Sequence, residues 1–208
     1  SEQKRLSAER TYNVRDLRAV AVDGDVRLAS PKGEADLTHW AFGQLCRRVG
    51  APASYLAGLP AALTADCLNH GLAAEPNASD AVLLVRAPNG RPRPVVRAVT
   101  SDSYGRVWDA DLYGALAQQF SHDDKWQSPP TWSDEPAGQY AGDRDSFVIR
   151  VNGGSVVTDP SIRLGGAVPG NGQSMYRGVL IRNSEVGACS VTIDTVLYRY
   201  ICGNHMLW

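Results

Sequence analysis

What the sequence lacks does the first sorting. No apolar stretch approaches the ~18 residues that a membrane-spanning helix requires, so a chain threaded through a bilayer by helices is not expected. Charge of one sign is missing too: 21 basic residues meet 22 acidic ones for a net charge of -1. This argues against coating nucleic acid by bulk electrostatics alone. Cysteine is scarce and scattered, at Cys46, Cys67, Cys189 and Cys202, which fits neither a disulfide framework nor a paired C-x-x-C zinc site. Ser1 to Arg10 has no apolar centre of the kind a secretion signal carries, and a soluble, cytoplasmic protein with free thiols is expected. The glycines between 165 and 172 are not followed by Lys-Ser/Thr, so there is no Walker-type phosphate loop. Ser101, Ser103 and Ser184 lie in no glycine-flanked nucleophile elbow. Any role on nucleic acid is thus passive, driven by binding and not by a fuel.

What is present is an ordinary globular composition, 43% hydrophobic and 21% charged. The length predicts a single α+β domain over residues 1–208, with an N-terminal hairpin region at 1–36 and a second region at 37–208. Arg18 to Ala29 reads as a hairpin about Asp23-Gly24. Leu37, Ala41, Leu45 and Val49 recur every four residues and predict a helix capped by Asp36 or Thr38 and ended by Gly50. Pro52 and Pro60 open two further helical stretches, the second with Leu63, Cys67 and Leu68 as its apolar side and a stop near Gly71. Ala81–Arg86 and Val95–Thr100 form a hairpin about Pro88-Asn89-Gly90. Asp109 and Asp111 start a helix with Leu112, Leu116 and Phe120 as its stripe, and 121–139 reads as irregular. Phe147–Val151 is a strand before a turn at Asn152-Gly153-Gly154, 161–174 is a glycine-rich mobile loop, and Val179–Arg182 is a short strand. Cys189–Ile201 fits a long strand, although Ile193, Val196, Leu197, Tyr200 and Ile201 also fit a helix. The expected fold is an antiparallel sheet built from hairpins with helices packed on one face.

Charge is distributed unevenly. Val82–Arg106 holds Arg86, Arg91, Arg93, Arg97 and Arg106 against Asp102 alone, a local charge of +4, while Val107–Asp145 carries -6. The arginines sit on a hairpin with Arg91 and Arg93 at its tip, and Tyr104 and Trp108 follow as stacking groups. Arginines tracking phosphate beside aromatics that stack on bases are the ingredients of single-strand recognition. These seven residues are the candidate nucleic-acid contacts. The plain alternative is an exposed hairpin whose arginines keep an edge strand soluble. A second candidate is a Mg²⁺ site from Asp143, Asp145, Glu185 and Asp194, which would make the protein a metal-dependent nuclease or hydrolase. Ion pairs with Arg144 or Arg182 explain the same carboxylates. Cys202-Gly-Asn-His205, with Cys189 upstream, falls short of the four ligands of a structural zinc site.

Four elements carry a resemblance. Gly142-Asp-Arg-Asp-Ser-Phe-Val-Ile-Arg150, Tyr176-Arg-Gly-Val-Leu-Ile-Arg-Asn-Ser-Glu-Val-Gly187 and Tyr200-Ile-Cys-Gly-Asn-His205 follow Arg97-Ala-Val-Thr-Ser-Asp-Ser-Tyr104 and Asp109 in order. Over 37–208 the chain resembles the phage/plasmid-like family called domain of unknown function 932. The resemblance implies a place in mobile-element DNA metabolism or host conflict and brings no catalytic set with it. Together with the arginine hairpin it leads to an expected non-enzymatic, homo-oligomeric protein that binds or anneals single-stranded DNA, with no cofactor and no membrane partner. The rivals are the Mg²⁺ enzyme above and an interaction protein that titrates a host factor.

Overall fold

The computed structural model describes residues 7–75, 80–87, 90, 92–129, 138–158, 174–201 and 204–207, of which 155–158, 174–175, 199–201 and 204–207 are described by backbone alone. The chain divides into two compact units, Ser1–Arg106 and Val107–Trp208. The change of periodicity at 36/37 falls inside a strand of the first unit.

The first unit runs β1 (Ser7–Asn13), a 3-10 turn (Val14–Asp16), β2 (Arg18–Val22), β3 (Asp25–Ser30), β4 (Gly33–Leu37), α1 (His39–Arg48), α2 (Ala53–Leu56), α3 (Ala61–Ala74), β5 (Asp80–Arg86) and β6 (Val95–Ser101). Its sheet is ordered β1-β5-β6-β4-β3-β2. The pairs are antiparallel except β4 with β6, which run parallel with Asp36 beside Val95. Asp23 and Gly24 both take positive φ, 56° and 86°, the left-handed pair that a two-residue hairpin turn requires. Thr38 caps α1, its hydroxyl accepting the Ala41 N–H at 3.1 Å; Asp36, the other expected cap, is a β4 residue. The three helices cover one face, where Leu45, Leu56, Leu68 and Leu72 meet Leu28, Leu83, Val85, Val96 and Val99. On α3 the buried row is Thr64, Ala65, Leu68 and Leu72, at helical spacing. Leu63 and Cys67 are exposed, a correction to the expected apolar side, because the four-residue repeat through 64, 68 and 72 faces the sheet. The helix also continues past Gly71, whose bare Cα lies against Val49 where a Cβ would collide.

The second unit runs α4 (Asp109–Ser121), β7 (Trp126–Gln127), β8 (Gln139–Ala141), β9 (Ser146–Thr158), β10 (Ser174–Asn183), β11 (Thr192–Ile201) and β12 (Asn204–Leu207). Its sheet is antiparallel, ordered β12-β11-β10-β9-β7, with β8 also on β9. The fold class is α+β with hairpin-built sheets, as expected, although the sheets are two. The segment 189–201 resolves as strand from Thr192, since its alternation matches β10: Val196 and Tyr198 turn to the core, Ile193 and Thr195 away. The turn expected at Asn152-Gly153-Gly154 is corrected to a bulge within one strand. Val151 faces Gly178 and Val156 faces Tyr176, so residues 152–155 bow out opposite Arg177. The bow is held from the other side by β7, with Trp126 opposite Asn152 and the Gly153 N–H donating to the Lys125 carbonyl at 2.8 Å. Of the expected loops, 88–89, 91, 130–137 and 161–173, and the Cys202-Gly203 turn, lie outside the described residues. The expected irregular stretch 121–139 is corrected where it is described: Trp126–Gln127 and Gln139 pair with β9, because the edge of that strand is open to them. Among the described residues no helix is long and apolar enough to cross a membrane.

Candidate nucleic-acid interface

The arginine hairpin is β5–β6, and the structure places most of its cations inward. Arg97 is 1% exposed and donates from Nη1 to Ser7 Oγ at 3.1 Å. It sits at a register shift, the extra residue of β6 opposite the Leu84–Val85 step. Arg86 is buried as well. The Arg106 side chain is 2% exposed and pairs with Glu9 at 2.6 Å, while its guanidinium carbon lies 5.2 Å from the centre of the Tyr104 ring. A cation held against both a carboxylate and an aromatic face fixes the end of the hairpin. Arg93, half-exposed, pairs with Asp36 at 3.5 Å, and Asp36 also pairs with the buried Arg27 at 3.2 Å. Arg91 lies outside the described residues. Trp108 is half-buried just before α4, its carbonyl accepting the Leu112 N–H.

Three of the quoted sequence elements meet in a buried polar network of the second unit. Asp109, Ser146, Asn183, Ser184 and Glu185 are each less than a tenth exposed. Ser146 Oγ donates to Asp109 Oδ1 at 2.8 Å, and Asn183 Nδ2 donates to the same oxygen at 2.7 Å. Tyr113 donates to Ser146 Oγ at 2.9 Å, and Glu185 Oε1 accepts the Asp109 N–H at 3.1 Å. Burial is the main cause that pushes the Tyr113 hydroxyl above the usual tyrosine range. The network pins the first turns of α4 to β9 and β10, and a satisfied buried network of this kind specifies one packing. Of the candidate metal ligands only Glu185 belongs to it. Asp143 is exposed, Asp145 half-buried, and Asp194 exposed on β11 with the Thr192 hydroxyl donating to it at 3.3 Å. Among the described residues no three His, Cys, Asp or Glu side chains come close enough to hold a metal ion.

The second sheet carries cations that form no ion pair among the described residues. Strand alternation sends Phe147, Ile149, Val151, Leu180, Val196 and Tyr198 to its core side. The opposite side receives Val148, Arg150 and Asn152 from β9, Arg177, Val179 and Ile181 from β10, and Ile193, Thr195 and Leu197 from β11. Toward its Ser146–Asn183 end this side is joined to α4 through Tyr113 and Ser146, and Val148 and Ile181 are buried. The other end is open. Arg177 and Thr195 are exposed and Ile193 keeps 66% of its surface. Arg150 is half-buried, donates to the Ile149 carbonyl at 3.0 Å, and forms no ion pair among the described residues. Burial lowers its pKa from the ordinary arginine value, yet a guanidinium stays charged at neutral pH. Trp126 stands at the rim, tilted against Phe120 with ring centres 5.4 Å apart. Where β9 bows away, Trp126, Asn152, Arg177, Val179, Thr195 and Leu197 line a hollow of about 600 Å³. No acid appears among the described residues that β9, β10 and β11 place on this side.

Sequence reasoning passed over Trp126, Arg150 and Arg177. The signal was available in the period-two spacing Val148-Arg150-Asn152 and Arg177-Val179-Ile181, which puts both cations on one face once the two segments pair. No family model, curated protein or solved structure matches the chain, so the site is read from its own residues.

Proposed function

We propose that the protein binds single-stranded DNA in the cytoplasm, without catalysis, as a component of mobile-element recombination or replication. One observation carries this: the open end of one face of the second sheet combines two arginines without described ion-pair partners and a fixed indole, with no acid among the described residues that β9, β10 and β11 place on that face. A groove that neutralises phosphates beside an aromatic platform favours unpaired strands, because only unpaired bases offer their faces. The mobile-element setting follows from the motif resemblance. With a net charge of -1 per chain, affinity for a polyanion is best raised by repetition, and a homo-oligomer that aligns this face along one strand supplies it.

The test is size-exclusion chromatography with light scattering, with and without a labelled 30-nucleotide single strand, at two salt concentrations. Arg150 and Arg177 acting together predict a log–log salt slope of about -1.4 per protomer on a single strand. Affinity indifferent to salt, or unchanged when Arg150 and Arg177 are both replaced by Gln, overturns the proposal.

A further inference from the structure

The hollow on the second sheet is more than a charged surface, and its shape and donors say which part of a strand it takes. We infer that it is a subsite for one unstacked nucleobase bearing a ring carbonyl, thymine or uracil above adenine; the inference rests on the single-strand reading above. Its volume of about 600 Å³ falls in the range of small-molecule sites and exceeds what a single base needs. The depth comes from the backbone. Arg177 has no register partner on β9, because residues 152–155 leave the ladder there, and a flat sheet face becomes a recess.

The lining divides into functions. Trp126 is held by Phe120 and by pairing with Asn152, so its indole is a rigid wall and little freedom is lost when a base packs on it. Val179 and Leu197, both half-buried, form an apolar floor. Arg177 is exposed at the edge, where the phosphate of the same nucleotide would lie. Asn152 supplies the selectivity. Its Oδ1 accepts the Gly154 N–H at 2.9 Å, which fixes the flip of the amide and leaves Nδ2 as the group able to donate outward. Thr195 adds an exposed hydroxyl that donates or accepts. An amide donor beside a hydroxyl matches the alternating carbonyl, N–H and carbonyl edge of thymine or uracil. Adenine offers the amide one ring nitrogen, N1 or N7, beside its amino donor, whereas thymine and uracil present a carbonyl on both sides of the ring N–H.

The test uses the whole chain and two readouts. Anisotropy with fluorescent dT15 and dA15 should show dT15 bound about three- to tenfold more tightly, the worth of one or two hydrogen bonds. Flexible pyrimidine runs are favoured by many proteins, so Asn152→Ala is the control: it should weaken dT15 more than dA15 and shrink the dT/dA ratio by about threefold. Photocrosslinking of the unmodified protein to a 5-bromouracil-substituted strand should label the peptide that contains Trp126. If neither oligonucleotide binds at low salt, the single-strand reading fails and this inference with it. If both bind with the expected salt slope, but the crosslink falls elsewhere and Asn152→Ala leaves the ratio unchanged, the subsite is wrong and the reading stands.

Discussion

The two sheets use arginine in opposite ways. In the first unit Arg97 and Arg86 are buried, Arg106 is buried against Glu9, and Arg93 shares Asp36 with Arg27. In the second unit Arg150 and Arg177 stand on an open face beside an indole, with no described carboxylate paired to either. Counting charge along the chain ranks these regions in the wrong order. Three arginines of the +4 segment, Arg86, Arg97 and Arg106, are internal struts, and the modest excess near the C-terminus includes Arg177, which faces solvent. Desolvating a guanidinium is costly unless partners surround it, so a buried arginine reports on architecture. A partnered strut has little left to give a ligand.

The comparison breaks most visibly at Arg97. Arg97→Met should lower unfolding free energy by about 2–4 kcal/mol, the scale of disrupting a buried hydrogen-bonded charge. Urea unfolding measures it; an unchanged midpoint with abolished oligonucleotide binding would reverse the roles of the two sheets. Asn183→Leu should cost about 1–3 kcal/mol, because Asp109 Oδ1 loses a buried donor and the part-buried Val107 carbonyl loses another. Tyr113 gives a pH signature. Its hydroxyl pKa is raised by burial, so the folded state holds that proton more tightly than the unfolded state. The resulting stability is complete below pH ~10 and drains away as pH rises through the folded pKa. Tyr113→Phe should therefore flatten the stability loss above about pH 10 in a thermal-melt series. Arg177→Gln sharpens the contrast from the other side: about threefold weaker single-strand binding, with stability unchanged within about 0.5 kcal/mol. Smallest is Arg93→Ala. Its half-exposed pair with Asp36 is worth about 0–1 kcal/mol, shrinking as salt is added, in the same urea experiment.

Local chemistry was readable in the sequence wherever one short segment decides the outcome. The Asp23-Gly24 turn, the Thr38 cap, the two proline-led helices and the β5–β6 strands all follow from neighbours within a few residues. Features decided by distant partners were not. Asn152-Gly153-Gly154 reads as a turn until β7 arrives to hold it as a bulge. The 192–201 segment satisfies two periods at once, and pairing with β10 selects one. For the site the difficulty was burial. Five arginines in 25 residues look like a phosphate track, and nothing local tells that Arg97 is enclosed. Asp109, Ser146 and Asn183, separated by up to 74 residues, become neighbours only in three dimensions.

The parallel pairing of β4 with β6 sets an order of events during synthesis. The meander β2-β3-β4 is complete by Leu37, yet the flank of β4 stays open until Val95 and Val96 have been made. β1 waits for β5 in the same way, Ser7 for Arg86. Since both gaps are closed by one late hairpin, a chain that has not yet emerged past Val95 and Val96 holds a three-stranded ribbon with a bare edge and three helices with nothing complete to lie on. Such nascent chains are the ones that chaperones and proteases would meet, and a cut within β5 or β6 would undo the first unit as a whole.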